Sequence, residues 1–181
     1  IRTVTQIGRG ATSVGSVAVE LAERIFKALA EKTVLIVGAG KMGESTVKHL
    51  TKRGAKSVLV SNRSFERAQT LAAEFGGRAI RFDDYLTAMA EADIVVTSTG
   101  CPHTILHRAE IEKVMPSRRN RPLVLIDIAV PRNIAPDVQE INNVYLYDVD
   151  DLEVVVRENV KHRQQEITRC RSIIDERTEA V

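Results

Sequence analysis

Apolar residues in this chain fall into two patterns that alternate along its length. Short unbroken runs at 34–37 (VLIV), 58–60 (VLV) and 123–126 (LVLI) have the length and β-branched character of strands buried on both faces. Between them, apolar residues recur every three or four positions, the spacing of one helix face. The pattern predicts a helix capped by Thr12 or Ser13 and running to about Ala30, because Val14, Val17, Ala18, Leu21, Ile25 and Leu29 form one stripe. A strand at Thr33–Val37 follows, then a helix over Gly43–Lys52, a strand at Ser57–Val60 and a helix over Phe65–Phe75. Further strands are predicted at Ala79–Phe82, Ile94–Ser98, Leu123–Ile128 and Val144–Tyr147, with helices over Asp83–Glu91 and Arg108–Val114.

Punctuation agrees with this division. Gly54 and the Gly76-Gly77 pair stand where helix ends are expected, while Ile1–Gly10 is polar and irregular with Gly8 and Gly10 as breakers. Strands joined by helical crossovers imply an α/β, Rossmann-like doubly wound parallel sheet in the order 3-2-1-4-5-6. Past Tyr147 the chain turns polar. From Arg157 onward it lacks glycine and proline, and charges of both signs alternate, which predicts one long helix leading away from the domain. The expected division is therefore a linker and helix at 1–30, the Rossmann domain at 31–150, and a helix at 151–181.

The first strand runs into G-x-G-x-x-G, with Gly38, Gly40 and Gly43 at the fingerprint spacing. Between a strand and a helix this motif has a mechanism: a tight turn at Gly38, close approach of a pyrophosphate at Gly40, and close helix–strand packing at Gly43. The first amides of the helix and its positive end then favour an anion, so Gly38, Ala39, Gly40, Lys41, Met42 and Gly43 are candidate dinucleotide contacts. An acid after the second strand would hold the 2′-hydroxyl of NAD. Here the chain reads Ser61-Asn62-Arg63-Ser64, which offers a guanidinium and neutral donors to a 2′-phosphate, so NADP(H) is favoured. Ser64 can also cap the next helix. The loops after strands four and five, Thr97–Pro102 and Ala129–Asn133, should line the crevice. Ser98, Thr99, Gly100, Ala129, Val130 and Pro131 are expected on its nicotinamide side.

Composition narrows the picture. The 181 residues are 44% apolar with a net charge of +2, which suits one domain with an appendage and makes no electrostatic case for nucleic acid as a partner of the whole chain. No apolar run reaches the roughly 20 residues of a membrane span. Cys101 and Cys170 stand in unrelated contexts, which points to a reducing compartment, and no Cys, His or carboxylate set has metal-ligand spacing. Cys101 lies two residues before His103 at the crevice mouth, where an imidazole-activated thiol could attack an ester. Neighbours in one loop seldom take up the required mutual geometry.

Five stretches in register, VLIVGAGKMGE, SNRS, ADIVVTSTG, LIDIAVPRNI and YDVDDL followed by ENVKHRQQEI, together with SVGSVAVELA before them, resemble the NADPH-binding central domain of glutamyl-tRNA reductases. The resemblance covers nearly the whole chain. It implies NADPH as cofactor and hydride delivery to a glutamyl thioester, derived from glutamyl-tRNA, to make glutamate 1-semialdehyde for tetrapyrrole (porphyrin) synthesis. The family's nucleophilic cysteine lies in an N-terminal domain that nothing here matches, so no catalytic residue and no activity are expected of this segment alone. The resemblance further implies a homodimer formed through the C-terminal helix, hand-over of product to the semialdehyde aminomutase, and a cytoplasmic or plastid-stromal location. Two rival readings are a shikimate-dehydrogenase-like reductase and a non-enzymatic nucleotide-sensing domain.

Overall fold

In the computed structural model, which describes residue 11 and residues 13–179, six parallel strands form one sheet in the order β3-β2-β1-β4-β5-β6. They are β1 (Thr33–Val37), β2 (Ser57–Asn62), β3 (Arg78–Arg81), β4 (Ile94–Thr97), β5 (Leu123–Asp127) and β6 (Val144–Asp148). The helices are α1 (Val14–Phe26), α2 (Lys41–Lys52), α3 (Phe65–Phe75), α4 (Tyr85–Ala88), α5 (Arg108–Val114) and α6 (Val149–Glu179). The order anticipated from the alternating pattern is the order observed. The stretch Ile1–Gly10 and the alternative cap Thr12 lie outside the described residues.

The unbroken apolar runs divide between two cores because strand side chains alternate in direction. Val34, Ile36, Val58, Val60, Val96 and Ile126 point to one side, where they meet Val17 and Leu21 of α1, Val47 and Leu50 of α2, Leu71 of α3 and Leu152 of α6. Leu35, Val37, Leu59, Val95 and Leu125 point to the other, against Tyr85 of α4 and Ile111 of α5. The glycine-turn end of β1 therefore lies at the centre of the sheet, flanked in register by Ser61 of β2 and Thr97 of β4.

Helix α2 begins at Lys41, two residues earlier than expected, and three other helices also differ from the pattern. Helix α1 is capped by Ser13 but stops at Phe26, because Lys27 takes a positive φ of 66° and turns the chain; Leu29 joins the core from beyond the helix. The helix expected over Asp83–Glu91 is a 3₁₀ turn at Phe82–Asp84 followed by one α turn at Tyr85–Ala88. Helix α6 begins earlier than anticipated, at Val149. Asp148 and Asp151 each accept the other's backbone N–H there, at 2.9 and 3.0 Å. After its first turns α6 buries little: Val154, Val160, Ile167 and Ile174 are exposed.

Candidate functional site

The carboxyl ends of β1, β2 and β4 enclose a cleft of about 420 Å³. Its floor is the turn after β1. Gly38 holds a φ of +102°, and its N–H donates to the Ser61 carbonyl at 2.8 Å; the Gly40 N–H donates to the Ser98 carbonyl at 3.3 Å. These two amides tie the turn to its neighbouring strands. The first bond within helix α2 is Glu44 N–H to Gly40 C=O, so the amides left over for an anion are those of the helix's first turn, at Lys41, Met42 and Gly43.

One wall comes from β2 and α3. Asn62 and Arg63 line the cleft, and Arg67 from the first turn of α3 joins them. Ser64 caps α3, accepting from the Arg67 N–H, and so orients the turn that carries Arg67. Phe82 supports Arg63 from below, its ring centroid 5.7 Å from the guanidinium carbon. No carboxylate is among the lining residues. Beyond Arg63 a second hollow of about 360 Å³ opens, with Arg81 and Asp83 on its rim.

The facing wall is the loop after β4, comprising Ser98, Thr99, Gly100, Cys101 and Pro102. It leans toward β2: the Arg63 Nη2 donates to the Cys101 sulfur at 3.6 Å. At Cys101 this loop thus stands opposite the residues expected at the 2′-phosphate, and Ala129, Val130 and Pro131 do not line the cleft. Ser61 departs from expectation as well. Strand alternation turns its side chain to the face of the sheet shared with Leu59, where it is fully buried and its hydroxyl meets no partner among the described residues, and it does not line the cleft. Lys41 and Met42 are exposed on α2, whereas Gly38 and Gly43 pack against Ser98 and its neighbours.

His103 does approach Cys101, with ring nitrogens 3.4 and 3.6 Å from the sulfur. A sulfur nearly equidistant from both nitrogens lies in line with neither lone pair, because the two diverge widely around the ring. The pair therefore lacks the geometry of a nucleophile and its base. Among the described residues no cluster could hold a metal ion.

Beneath the loops lies Asp127, buried at the end of β5. Its carboxylate accepts from the Thr97 hydroxyl at 3.0 Å and from the backbone N–H groups of Ala129, Asn133 and Ile134 at 3.2, 3.0 and 2.9 Å. Burial pushes its pKa up, and the four donors oppose that shift. With every position around it occupied, it organises loops and is not a proton donor or acceptor for a ligand. Arg67 and Phe82 were not anticipated. Arg67 was findable, three residues after Ser64 on the first turn of a predicted helix; Phe82 was not, because the predicted order sets β3 beside β2 but not the direction of a side chain just past the strand's end.

Residues 20–155 match the Shikimate / quinate 5-dehydrogenase family model. Over 176 residues, 97% of this chain, the sequence is 53% identical to a glutamyl-tRNA reductase of Trichlorobacter lovleyi and 47% identical to one of Geobacter sulfurreducens, covering 41% of each. The solved glutamyl-tRNA reductase of Methanopyrus kandleri superposes with a TM-score of 0.88 at 44% identity, over 97% of this chain and 44% of that one. A quinate dehydrogenase of Corynebacterium glutamicum, solved with NAD, shares the fold at a TM-score of 0.56 and 17% identity, over 87% of this chain and 62% of that one. The chain thus spans about two fifths of the length of the glutamyl-tRNA reductases it matches.

Proposed function

Because the chain belongs to the Shikimate / quinate 5-dehydrogenase family, and its homologues over nearly its whole length are glutamyl-tRNA reductases, we propose that it is the NADPH-binding domain of such a reductase. The observation that carries the choice of NADPH is the wall built from Asn62, Arg63 and Arg67 without a carboxylate. Two guanidiniums stabilise the charge of a 2′-phosphate, whereas a 2′-hydroxyl gains little from them.

In this reading the pyrophosphate rests on the first-turn amides of α2 beside Ala39 and Gly40. The 2′-phosphate meets Asn62, Arg63 and Arg67, with Ser64 acting through the cap. Cys101 and Pro102 cover the adenosine half, while Ser98, Thr99 and Gly100 lead toward the nicotinamide half and Ala129, Val130 and Pro131. Bound there, NADPH would supply a hydride to the acyl carbon of a glutamyl thioester and become NADP+; the carbon–sulfur bond would break, giving glutamate 1-semialdehyde and a thiolate. The thioester, made from glutamyl-tRNA, belongs to a part of the relatives that this chain does not span. Residues 31–150 act as the nucleotide domain, and residues 1–30 and 151–181 connect it to the rest of the enzyme. The exposed apolar residues of α6 suit a second subunit. Transfer of the semialdehyde to an aminomutase and a cytoplasmic location go with this reading. No described helix is long and apolar enough to cross a membrane.

Titration of the chain with NADPH and NADH tests the proposal. NADPH is expected to bind more tightly by about tenfold or more, the scale of one or two charge-assisted hydrogen bonds. Equal affinities would remove the basis for choosing NADPH.

A further inference from the structure

Asn133 is fully buried, yet its carboxamide does nothing for the sheet. Its Oδ1 accepts two bonds from one residue, the Thr99 N–H at 3.1 Å and the Thr99 hydroxyl at 2.9 Å, and its Nδ2 has no partner among the described residues. An amide with an unmet donor is costly at a buried position, so its oxygen must repay the polarity, and Thr99 is where that oxygen acts. The main chain of Asn133 holds the other end of the same loop: its carbonyl accepts from Ile105 N–H at 2.7 Å and Leu106 N–H at 3.0 Å. The Thr99 hydroxyl passes the constraint on by accepting from the Cys101 N–H at 3.3 Å. Asn133 is itself held by Asp127 through its N–H.

Resting on the NADPH reading above, we infer that Asn133 is a positioning residue for nucleotide binding. Its carboxamide pins the start of the 99–106 loop and its carbonyl the end, which fixes the cleft wall that faces Arg63. It touches the wall from behind and acts through Thr99. The bonds to Ile105 and Leu106 come from the main chain, which Asn133→Leu retains, so the effect of that replacement is expected at the Thr99–Pro102 end.

Cys101 lies in that end and reports on it. Asn133→Leu keeps the branched shape without the acceptor; Thr99→Val keeps the shape without the hydroxyl; Thr99→Ser keeps the hydroxyl. Alkylation of Cys101 relative to Cys170, followed by mass spectrometry, is expected to rise about tenfold in Asn133→Leu and in Thr99→Val, the scale of a lost hydrogen bond with its partner left unmet. NADPH affinity should fall by a similar factor in both, and Thr99→Ser, which keeps the hydroxyl that Asn133 accepts, should leave Cys101 reactivity as it is in the unsubstituted chain. A rise of Cys101 and Cys170 together would show general loosening and overturn the inference, as would unchanged Cys101 reactivity or unchanged NADPH affinity. If Asn133→Leu does not fold, Thr99→Val decides by the same criteria. An unsubstituted chain that binds no NADPH would defeat the functional reading and the nucleotide role of Asn133 with it, while the alkylation rates would still show separately whether Asn133 holds the loop.

Discussion

The hydroxyl oxygen of Ser98 stands 2.3 Å from the point where a first side-chain carbon on Gly40 would sit. The same residue would crowd a side chain on Gly38, through its carbonyl oxygen at 2.5 Å. The glycine turn is therefore shaped first by the end of β4, and the approach of a ligand comes on top of that packing.

This contact separates two explanations for the glycines. Gly40→Ala is expected to cost about 2 kcal/mol of stability through overpacking and to weaken NADPH binding. Adding Ser98→Gly should restore much of both, since the nearest remaining neighbour is the Ser98 carbonyl at 3.0 Å. Gly38→Ala should not be restored, because its clash is with backbone and its φ is +102°. Thermal melts and NADPH titrations of these variants check this; a loss at Gly40 that Ser98→Gly leaves unchanged would rule out the Ser98 hydroxyl as its cause.

Arg63→Ala and Arg67→Ala are each expected to weaken NADPH by about 2 kcal/mol, roughly 30-fold, while leaving NADH within about twofold. Arg63 should have the larger effect, because its loss also removes the contacts with Phe82 and Cys101. Parallel losses for both cofactors would mean that the arginines shape the cleft without reading the phosphate.

Arg118 predicts a stability effect remote from the cleft. It is fully buried, donating to the carbonyls of Met89 at 2.5 Å and Pro122 at 2.9 Å, and also to that of Ala92. Burial pushes its pKa down to about 10, so it remains charged at neutral pH. Arg118→Ala strands three carbonyls and is expected to cost about 3 kcal/mol or more. Arg118→Lys should recover little, because one ammonium cannot reproduce the planar fork. Chemical denaturation measures both.

Tyr85 governs the alkaline limit. Its hydroxyl donates to the Ile105 carbonyl at 3.0 Å, and burial, helped by the charge of Glu110, pushes its pKa up to about 12 from 10.0. The unfolded chain releases this proton first, so the stabilisation is complete below pH 10 and is lost as pH rises toward 12. Tyr85→Phe should cost about 1 kcal/mol at neutral pH and show a shallower fall above pH 10. Denaturation curves from pH 8 upward compare the two; identical slopes would remove Tyr85 as the cause.

Much of this architecture was legible before any coordinates. Unbroken apolar runs could only be strands covered on both faces, the helices between them required crossovers, and the glycine spacing marked the turn at the centre of the sheet. Asn62 and Arg63 could likewise be read as a cation-bearing edge without an acid. These features are local: they depend on side-chain period and on spacing along the chain.

What the sequence could not decide was which residues meet across the fold. The burial of Ser61 depends on the face its strand presents, and the tilt of the Cys101 loop toward Arg63, the support of Arg63 by Phe82 and the hold of Asn133 on Thr99 join segments that follow different strands. Each depends on the direction in which a side chain or loop leaves the end of its strand and on what it then meets. Those relations arise only when the sheet closes and its buried polar groups find partners from another part of the chain.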